Sequence, residues 1–295
     1  MTLIQMEIFL KVIQTGSFTR AGEELGLSQS AVSHAITSLE SELGFMLIKR
    51  NRSGVSITAN GERMLGYISK IMHIKEQMEQ DAASITGGHT GTIRVGTFSS
   101  VSIKWLPQIL KQFQQNYPSI QVELLEGGYE EVEHWINVGL VDLGFISVTP
   151  KNVHEVLILK KDRFVLLLPQ GHALCRDGSI TMEKIAAEPF IMPKKGCDAY
   201  IRKLFKERKL KPSIRFEIGD DHAIVALVQA GLGVSVLPEM TLPNSMDKVV
   251  SVYIGDEIYR TIGIASTSFT TLSPAAKKFL EVTEAWIIEE RSFIR

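Results

Sequence analysis

Residues Ser28–Glu40 read SQSAVSHAITSLE, and this stretch decides how the first part of the chain folds. Apolar residues recur in it at helical spacing, and the pattern predicts one buried face made of Ala31, Val32, Ala35, Ile36 and Leu39. Between them stand short hydrogen-bonding side chains rather than the long charged residues usual on a solvent-facing helix: Ser30, Ser33, His34, Thr37 and Ser38. The second face is therefore suited to contacting something other than water.

Two shorter helical patterns precede this stretch. Ser17 and Ser28 are good N-caps, because a serine hydroxyl accepts a hydrogen bond from a free amide of the first turn. Gly16 and Gly26 stand where a helix commonly stops. After the third helix, the run MLIKRNRSGVSIT predicts a small hairpin. The succession predicts an all-α winged helix-turn-helix domain over residues 1–58, with its second motif helix in the major groove of DNA.

The predicted recognition helix and wing supply the candidate DNA contacts. Glutamine pairs with adenine, serine and threonine bond base edges or phosphates, and clustered cations attract phosphates. The candidates are Ser28, Gln29, Ser30, Ser33, His34 and Thr37 in the helix and Lys49, Arg50 and Arg52 in the wing. Residues 1–60 nevertheless carry five basic and five acidic side chains, so affinity for DNA of any sequence should be modest. On pattern alone, a small helical domain that binds no DNA remains the alternative.

The composition bounds the class of protein. The 295 residues carry a net charge of −1, so the chain is no general polycation, and any nucleic-acid site must be local. Only two cysteines, Cys175 and Cys197, argue against a secreted disulfide scaffold. The N-terminal residues lack the pattern of a signal peptide, and no apolar run is long enough to span a membrane. We therefore expect a cytoplasmic protein.

A long helix is predicted over residues 59–86. It carries a seven-residue repeat formed by Met64, Ile68, Ile71, Lys75, Met78, Ala82 and Ile85. Such a seam is typical of a helix that pairs with a second helix, here that of another subunit. The alternative is an ordinary amphipathic helix that packs on its own domain. Residues 87–91, GGHTG, end the pattern and are interpreted as a hinge.

The remaining chain, residues 92–295, alternates strand-like and helical runs. That alternation predicts an α/β domain with a mainly parallel, helix-covered sheet, and its length suits two lobes. Residues after the strands are the expected ligand contacts in such sheets. Three places meet this description: the serines Ser99, Ser100 and Ser102 after the first strand, Ser147 at the end of DLGFIS, and the loop Pro193–Asp198. Helix capping is the plainer explanation for each of these residues.

The N-terminal segment resembles the LysR-type transcriptional regulators. The residues that carry the resemblance are Phe9, Gly16-Ser17-Phe18-Thr19, Ala21, Leu25, Ser28-Gln29, Ala31-Val32-Ser33, Ile36, Leu39-Glu40, Leu43-Gly44, Leu47, Arg50, Thr58-Ala59 and Gly61. Gly22, Ser30 and Ile48 depart from the usual residues at their positions. The linker helix, hinge and two-lobed domain agree with the family layout over essentially the whole chain.

The resemblance implies a periplasmic-binding-protein-like effector domain with a small-molecule effector between its lobes. Lobe I would comprise about 92–161 and 267–295, and lobe II about 162–266, with crossing strands near 159–163 and 264–267. The family contacts its effector through residues at the three places above, here Ser99, Ser100, Ser102, Ser147, Lys194, Lys195, Gly196 and Cys197. The two lysines hint at an anionic effector. The resemblance also implies double-stranded promoter DNA, a homodimer through the linker helix, a homotetramer and contact with RNA polymerase.

Three further alternatives stay open on sequence. Cys197 lies in a loop close to Lys195 and precedes a helix, surroundings expected to lower a thiol pKa, so a redox switch with Cys175 is one alternative. The chain lacks the common nucleotide-binding, metalloprotease and hydrolase motifs, which disfavours an enzyme. No histidine pair has metal-site spacing, and no cofactor is expected. The rival to a regulator is a small-molecule binding protein whose N-terminal helices bind another protein.

Overall fold

Three helices and a hairpin form the N-terminal domain. The structure, a computed structural model, describes residues 1–51, 54–85, 90–150, 153–176, 180–194, 196–254 and 258–293. The elements are α1 (Leu3–Thr15), α2 (Phe18–Leu25), α3 (Gln29–Leu43), β1 (Ile48–Asn51) and β2 (Gly54–Ile57). β1 and β2 pair antiparallel. The predicted hairpin after the third helix is therefore confirmed.

The helix boundaries follow from their caps. The Ser17 hydroxyl accepts from the Arg20 amide at 3.3 Å, and the Ser28 hydroxyl accepts from the Ala31 amide at 3.2 Å. Gly26 ends α2 with a φ of 68°, a left-handed conformation that side chains disfavour. α3 buries a narrower stripe than predicted, made of Val32, Ile36 and Leu39. The prediction of a buried Ala31 was wrong, because that residue lies about 100° around the helix from Val32 and is exposed.

The long helix α4 (Ala59–Ile85) has two apolar faces. One face packs into the core of the N-terminal domain through Leu65, Ile68 and Met72. The other face is exposed, and the fractional exposures of its large residues are Tyr67 65%, Ile71 39%, Ile74 64%, Met78 65% and Ile85 87%. We call this second face the linker stripe. The predicted seam mixed both faces, since Ile68 lies in the chain's own core.

The α/β domain is built on one long sheet. Its strands are β3 (Gly91–Thr97), β4 (Ile120–Glu126), β5 (Leu143–Val148), β6 (Glu155–Pro169), β9 (Ser235–Pro238), β10 (Val249–Tyr253) and β11 (Tyr259–Ser266). They run in the order β10-β6-β11-β5-β3-β4, with β9 also paired to β6. A separate parallel pair consists of β7 (Pro189–Pro193) and β8 (Ser213–Ile218). β3, β4 and β5 pair in parallel, whereas β11 runs antiparallel to its neighbours.

Helices cover the sheet on both lobes. They are α5 (Ser99–Lys104), α6 (Leu106–Asn116), α7 (Tyr129–Val138), α8 (Met182–Ala187), α9 (Asp198–Glu207), α10 (Asp221–Gln229) and α11 (Pro274–Phe293). Two separate cores lie beneath them. One surrounds Trp105 and Phe145 in the first lobe, and the other surrounds Phe190 and Phe205 in the second. Within the described residues, no helix is both long and apolar enough to cross a membrane.

Strand β6 passes through both lobes without interruption. It pairs with β11 as far as Arg163 and with β9 and β10 from Phe164 onward, which agrees with the predicted first crossing near 159–163. The predicted second crossing near 264–267 was wrong. β11 pairs along its length with β5 and β6, so the chain has already returned to the first lobe at Tyr259. Lobe II therefore ends before Tyr259 rather than at residue 266.

Polar contacts fix the linker helix onto the first lobe. Arg94 on β3 donates to both carboxylate oxygens of Glu76 at 2.8 and 2.9 Å. His73 Nδ1 lies 2.8 Å from the carboxylate of Asp142, which also accepts from the Arg94 amide at 2.6 Å. Burial lowers the pKa of His73, but Asp142 and Glu76 raise it by more, so the net pKa is raised. The predicted hinge at 87–91 lies mostly outside the described residues, and only Thr90 and Gly91 are described.

Candidate DNA-binding surface and effector cavity

Helix α3 presents its uncharged polar side chains to solvent. Gln29, Ser30, His34 and Thr37 are exposed, whereas Ser33 is half-buried. The Thr37 hydroxyl donates to the Ser33 carbonyl at 3.0 Å, which leaves its oxygen as an acceptor at the surface. Together with the exposed Ser28, five of the six candidate helix residues thus lie on an accessible surface whose size and chemistry suit the edges of base pairs.

The remaining candidates are Ser28, at the start of α3, and the three basic residues of the wing. The Ser28 hydroxyl caps α3 and lies 2.9 Å from the Ser30 hydroxyl. Glu40 in α3 accepts from the amides of Leu47 and Ile48 at 2.7 and 3.0 Å, which ties the wing to the recognition helix. Lys49 on β1 is exposed. Arg50 pairs with Val55 through the hairpin backbone, and Arg52 lies outside the described residues.

A cavity of about 330 Å³ lies where the two lobes meet. Its lining residues come from both lobes: Phe98, Ser99, Ser100, Glu126, Gly127, Gly128, Tyr129, Glu131, Gly196, Cys197, Gly219, Asp221, Thr241 and Arg260. Ligand pockets typically measure about 300–1,000 Å³, so this volume suits a small metabolite. Its position outside the strand ends is the one expected for ligands of open α/β sheets.

A buried arginine forms the floor of the cavity. The Arg260 guanidinium donates from Nε to Asp162 at 2.8 Å and from Nη2 to the Ser100 hydroxyl at 2.8 Å. Its Nη1 donates to the Tyr129 hydroxyl. The other oxygen of Asp162 accepts from the Met240 amide at 3.1 Å. The network therefore joins α5 and α7 of the first lobe to strands β6 and β11 and to the backbone that follows β9.

The guanidinium is also enclosed by aromatic rings. Its Cζ lies 5.2 Å from the centre of the Phe98 ring and 5.8 Å from that of Tyr129. Burial raises the pKa of Tyr129 to about 12, although Arg260 acts in the opposite direction. The phenol therefore stays protonated at neutral pH and keeps a hydrogen to donate.

The structure brings together half of the predicted effector contacts. Ser99, Ser100, Gly196 and Cys197 line the cavity. The other predicted residues do not: Ser102 lies 3.3 Å from the Thr97 hydroxyl, Ser147 pairs with Ile262 in the sheet, and Lys194 is exposed. Lys195 lies outside the described residues. The basis for expecting an anionic effector is thereby weakened, because the one described lysine of the pair lies off the cavity.

The expectation of a lowered thiol pKa at Cys197 was wrong. The side chain is 4% exposed, and this burial raises the pKa of Cys197 to about 12, with Asp221 adding to the rise. Cys175 is exposed, and both thiols are free. A protonated, buried thiol is a poor nucleophile, so the local surroundings do not favour a redox switch at Cys197. No cluster of metal-ligating side chains occurs within the described ranges.

Acidic side chains line the cavity beside this network. Asp221 begins α10 in the second lobe, and Glu126 ends β4 in the first. Burial raises the pKa of Asp221 to about 6, with Arg260 opposing the rise. Across the described part of the chain, no side chain or amide donates a hydrogen bond to either carboxylate or forms an ion pair with it. Glu131, by contrast, accepts from the Gly128 amide at 2.8 Å.

Two family models match this chain. The bacterial regulatory helix-turn-helix protein of the lysR family matches residues 3–62, and the LysR substrate binding domain matches residues 86–287. The second match alone covers more than half of the chain. This protein belongs to the LysR-type transcriptional regulators. It therefore combines a helix-turn-helix DNA-binding domain with an effector-binding domain, as members of this family do.

Relatives and solved structures of LysR-type regulators agree with this assignment over the whole chain. An uncharacterized HTH-type transcriptional regulator, YvbU of Bacillus subtilis (strain 168), is 33% identical over 96% of this chain and 98% of its own. Full-length BenM is 25% identical, covers 98% of both chains and has a TM-score of 0.61. Full-length CbnR with its target DNA is 22% identical over 97% of this chain and 99% of its own, with a TM-score of 0.63, and shares the fold.

The residues that give the cavity its chemistry could not be identified from the sequence pattern. Arg260, Asp162, Tyr129 and Asp221 were not among the candidates. An arginine within the strand YRTIGIAS was the available signal, since a cation on a buried strand needs a buried partner. Nothing in the spacing indicates that Arg260 reaches a serine 160 residues away.

Proposed function

We propose that this LysR-type regulator binds a two-fold symmetric promoter site as a dimer, and that a small molecule in the inter-lobe cavity controls this binding. The uncharged, exposed polar face of α3 carries the DNA-binding part of the proposal. Because the N-terminal domain has as many acidic as basic residues over positions 1–60, binding must depend on base contacts more than on phosphate attraction.

The linker stripe supports the dimer. It extends from Tyr67 to Ile85 and leaves large apolar side chains in contact with water. Residues Tyr67, Ile71, Ile74, Met78 and Ile85 are spaced by three, four or seven positions, which matches the seam of a two-helix coiled coil. Pairing two such helices would hold two recognition helices at a fixed separation, as half-sites about 34 Å apart require. Further assembly to a tetramer and contact with RNA polymerase are part of the same proposal.

The network around Arg260 supports the regulatory part of the proposal. Its Ser100, Tyr129 and Arg260 side chains line the cavity together with Gly196, Cys197 and Asp221 of lobe II, so a molecule bound there contacts both lobes. A ligand shifts a conformational equilibrium only when it binds one arrangement better than the other. A ligand that contacts both lobes at once has that preference. Because polar contacts hold α4 against lobe I, a change in the arrangement of the lobes can be transmitted through α4 to the DNA-binding domain.

The test is fluorescence anisotropy with the DNA upstream of the protein's own gene and a scrambled duplex of the same composition, over a series of salt concentrations. We expect preferential binding to the native duplex, which the double substitution Gln29→Ala with His34→Ala abolishes without changing the circular dichroism spectrum. Gln14→Ala, at an exposed position on α1, is the matched control and should bind as the wild type does. Equal, steeply salt-dependent binding to both duplexes would contradict base reading by α3.

A further inference from the structure

We infer that the inter-lobe cavity accommodates a small zwitterion, with a carboxylate at the hydroxyls of Ser100 and Tyr129 and an ammonium group at Asp221 and Glu126. The inference rests on the proposed effector role of this cavity and specifies the class of molecule that it takes. Amino acids, with the amine at the α carbon or at the end of the chain, are the simplest members of that class.

The hydrogen-bond directions at the floor identify the carboxylate site. Both the Ser100 and the Tyr129 oxygens accept from the Arg260 guanidinium, so each hydroxyl keeps its own hydrogen to donate. No acceptor for either hydrogen is found among the residues that the structure describes. Ser100 is 2% exposed, which makes an unfilled donor costly there. Two hydroxyl donors beside a guanidinium suit an anionic oxygen.

The positive charge of the Arg260 guanidinium does not make the rest of the cavity positive. Asp162 neutralises it at 2.7 Å, and both side chains of this pair are 2% exposed. Of the other described lining residues, three carry carboxylates, namely Glu126, Glu131 and Asp221, and none is a lysine or a second arginine. A ligand that carried only negative charge would therefore meet net repulsion near these walls.

The unpaired carboxylates identify the ammonium site. Asp221 is half-buried, and burial raises its pKa to about 6, so it remains ionised near neutral pH at a free-energy cost. A half-buried carboxylate to which no described group donates is an unusual arrangement, because carboxylates removed from water are normally paired. A ligand ammonium group with three N–H donors would satisfy Asp221 and reach the exposed Glu126 at the cavity rim.

The positions of the two carboxylates also explain how such a ligand would act. Asp221 belongs to lobe II, and Glu126 belongs to lobe I. An ammonium group shared by them neutralises charge on both sides of the cleft, whereas the carboxylate is held by groups of lobe I. A zwitterion therefore favours the arrangement in which the lobes are close together. A ligand with one charged group favours that arrangement less strongly.

The experiment is isothermal titration of the full-length protein with the proteinogenic amino acids, β-alanine and γ-aminobutyrate. Each one that binds is compared with its N-acetyl derivative, which lacks the ammonium group, and with its amide, which lacks the carboxylate. We expect at least one amino acid to bind and both of its derivatives to bind about tenfold more weakly or worse, because each loses a charge-assisted hydrogen bond.

Variants separate the two half-sites. Asp221→Asn should weaken the amino acid about tenfold or more and leave the N-acetyl derivative unchanged, since that derivative has no ammonium group to lose. Ser100→Ala should weaken the amino acid more than it weakens the amide, because the hydroxyl donates a charge-assisted hydrogen bond to the carboxylate and only a neutral one to the amide oxygen. Glu130→Gln is the matched control, because this exposed carboxylate adjoins Tyr129 in sequence but does not line the cavity. Its affinity should equal that of the wild type.

The outcomes distinguish this inference from the proposed function. If no amino acid binds, if the N-acetyl derivative binds as tightly as its parent, or if Asp221→Asn leaves the affinity unchanged, the ligand class is wrong. Operator discrimination measured on the same preparation tests the regulator separately. Retained discrimination with any of those results overturns only the zwitterion, whereas lost discrimination with an amino acid bound overturns the DNA-binding role.

Discussion

The carboxylate of Asp162 and the guanidinium of Arg260 form an ion pair at 2.7 Å in which each side chain is 2% exposed. Asp162 lies on the crossing strand β6, and Arg260 lies near the start of β11. Burial raises the pKa of Asp162, and the adjacent guanidinium opposes that rise. The pair thus holds two charges away from solvent, and each charge is stabilised by the opposite charge of its partner.

Removal of one partner of this pair should destabilise the protein strongly. Arg260→Met leaves Asp162 buried without a counterion, so we expect the free energy of unfolding to fall by about 3–5 kcal/mol in urea denaturation. Arg202→Met is the control, because its ion pair with Glu217 at 2.9 Å is exposed and should contribute at most about 1 kcal/mol. Similar losses for the two variants would show that the buried pair contributes no more than a surface pair.

The ligand-free protein should become more stable when Asp221 loses its charge. Its pKa is raised from 3.8 to about 6, so the folded state binds more protons between these values, and stability falls as the pH rises through them. Asp221→Asn should therefore add about 1–2 kcal/mol at neutral pH, with the gain vanishing below about pH 4. Thermal unfolding over this pH range measures it. A stability difference between Asp221→Asn and the wild type that does not change with pH would contradict the raised pKa.

A charge on the linker stripe should break the dimer. Ile74→Glu places a carboxylate at the centre of the proposed helix pair, at a position that is 64% exposed in the single chain. We expect sedimentation to show monomers, and operator affinity to fall by about 10²-fold or more, because two half-sites are no longer bound by one particle. Lys70→Glu, at an exposed position of the same helix, should stay dimeric. A dimeric Ile74→Glu protein would place the interface elsewhere.

The two cysteines should differ in reactivity. Cys175 is exposed, whereas burial raises the pKa of Cys197 to about 12, so Cys197 stays a thiol at neutral pH. With a disulfide reagent we expect one fast-reacting group per folded chain, lost in Cys175→Ser and retained in Cys197→Ser. Both thiols should react after unfolding in urea. Fast modification of Cys197 in the folded protein would reopen the redox alternative.

The N-terminal domain was predictable because its signals are local. The serine caps at Ser17 and Ser28 and the stop at Gly26 lie within a few residues of the helix ends that they set. The linker helix was predictable for the same reason. Which of its apolar residues pack into the chain's own core and which stay exposed was not predictable. Heptad spacing alone does not show that Ile68 packs inward and Ile71 outward, because a second apolar face belongs to the chain's own core.

The cavity was only half predictable because its chemistry is assembled from distant segments. Ser99 and Ser100 follow the first strand of the domain, a position that a general rule for α/β sheets identifies. Arg260 and Asp162 meet through an antiparallel pairing that the sequence does not specify. Lys194 was favoured because of its charge, but a loop lysine gives no information about the direction in which its side chain points.

The unbroken course of β6 through both lobes has a mechanical consequence. Fifteen residues, Glu155–Pro169, form one strand that is laddered to β11 at one end and to β9 and β10 at the other. Lobes joined by slack loops can swing freely, but lobes joined by a strand must bend or twist it to approach each other. We therefore expect this strand to limit how far the lobes can close on a ligand and to favour their original angle once the ligand is released.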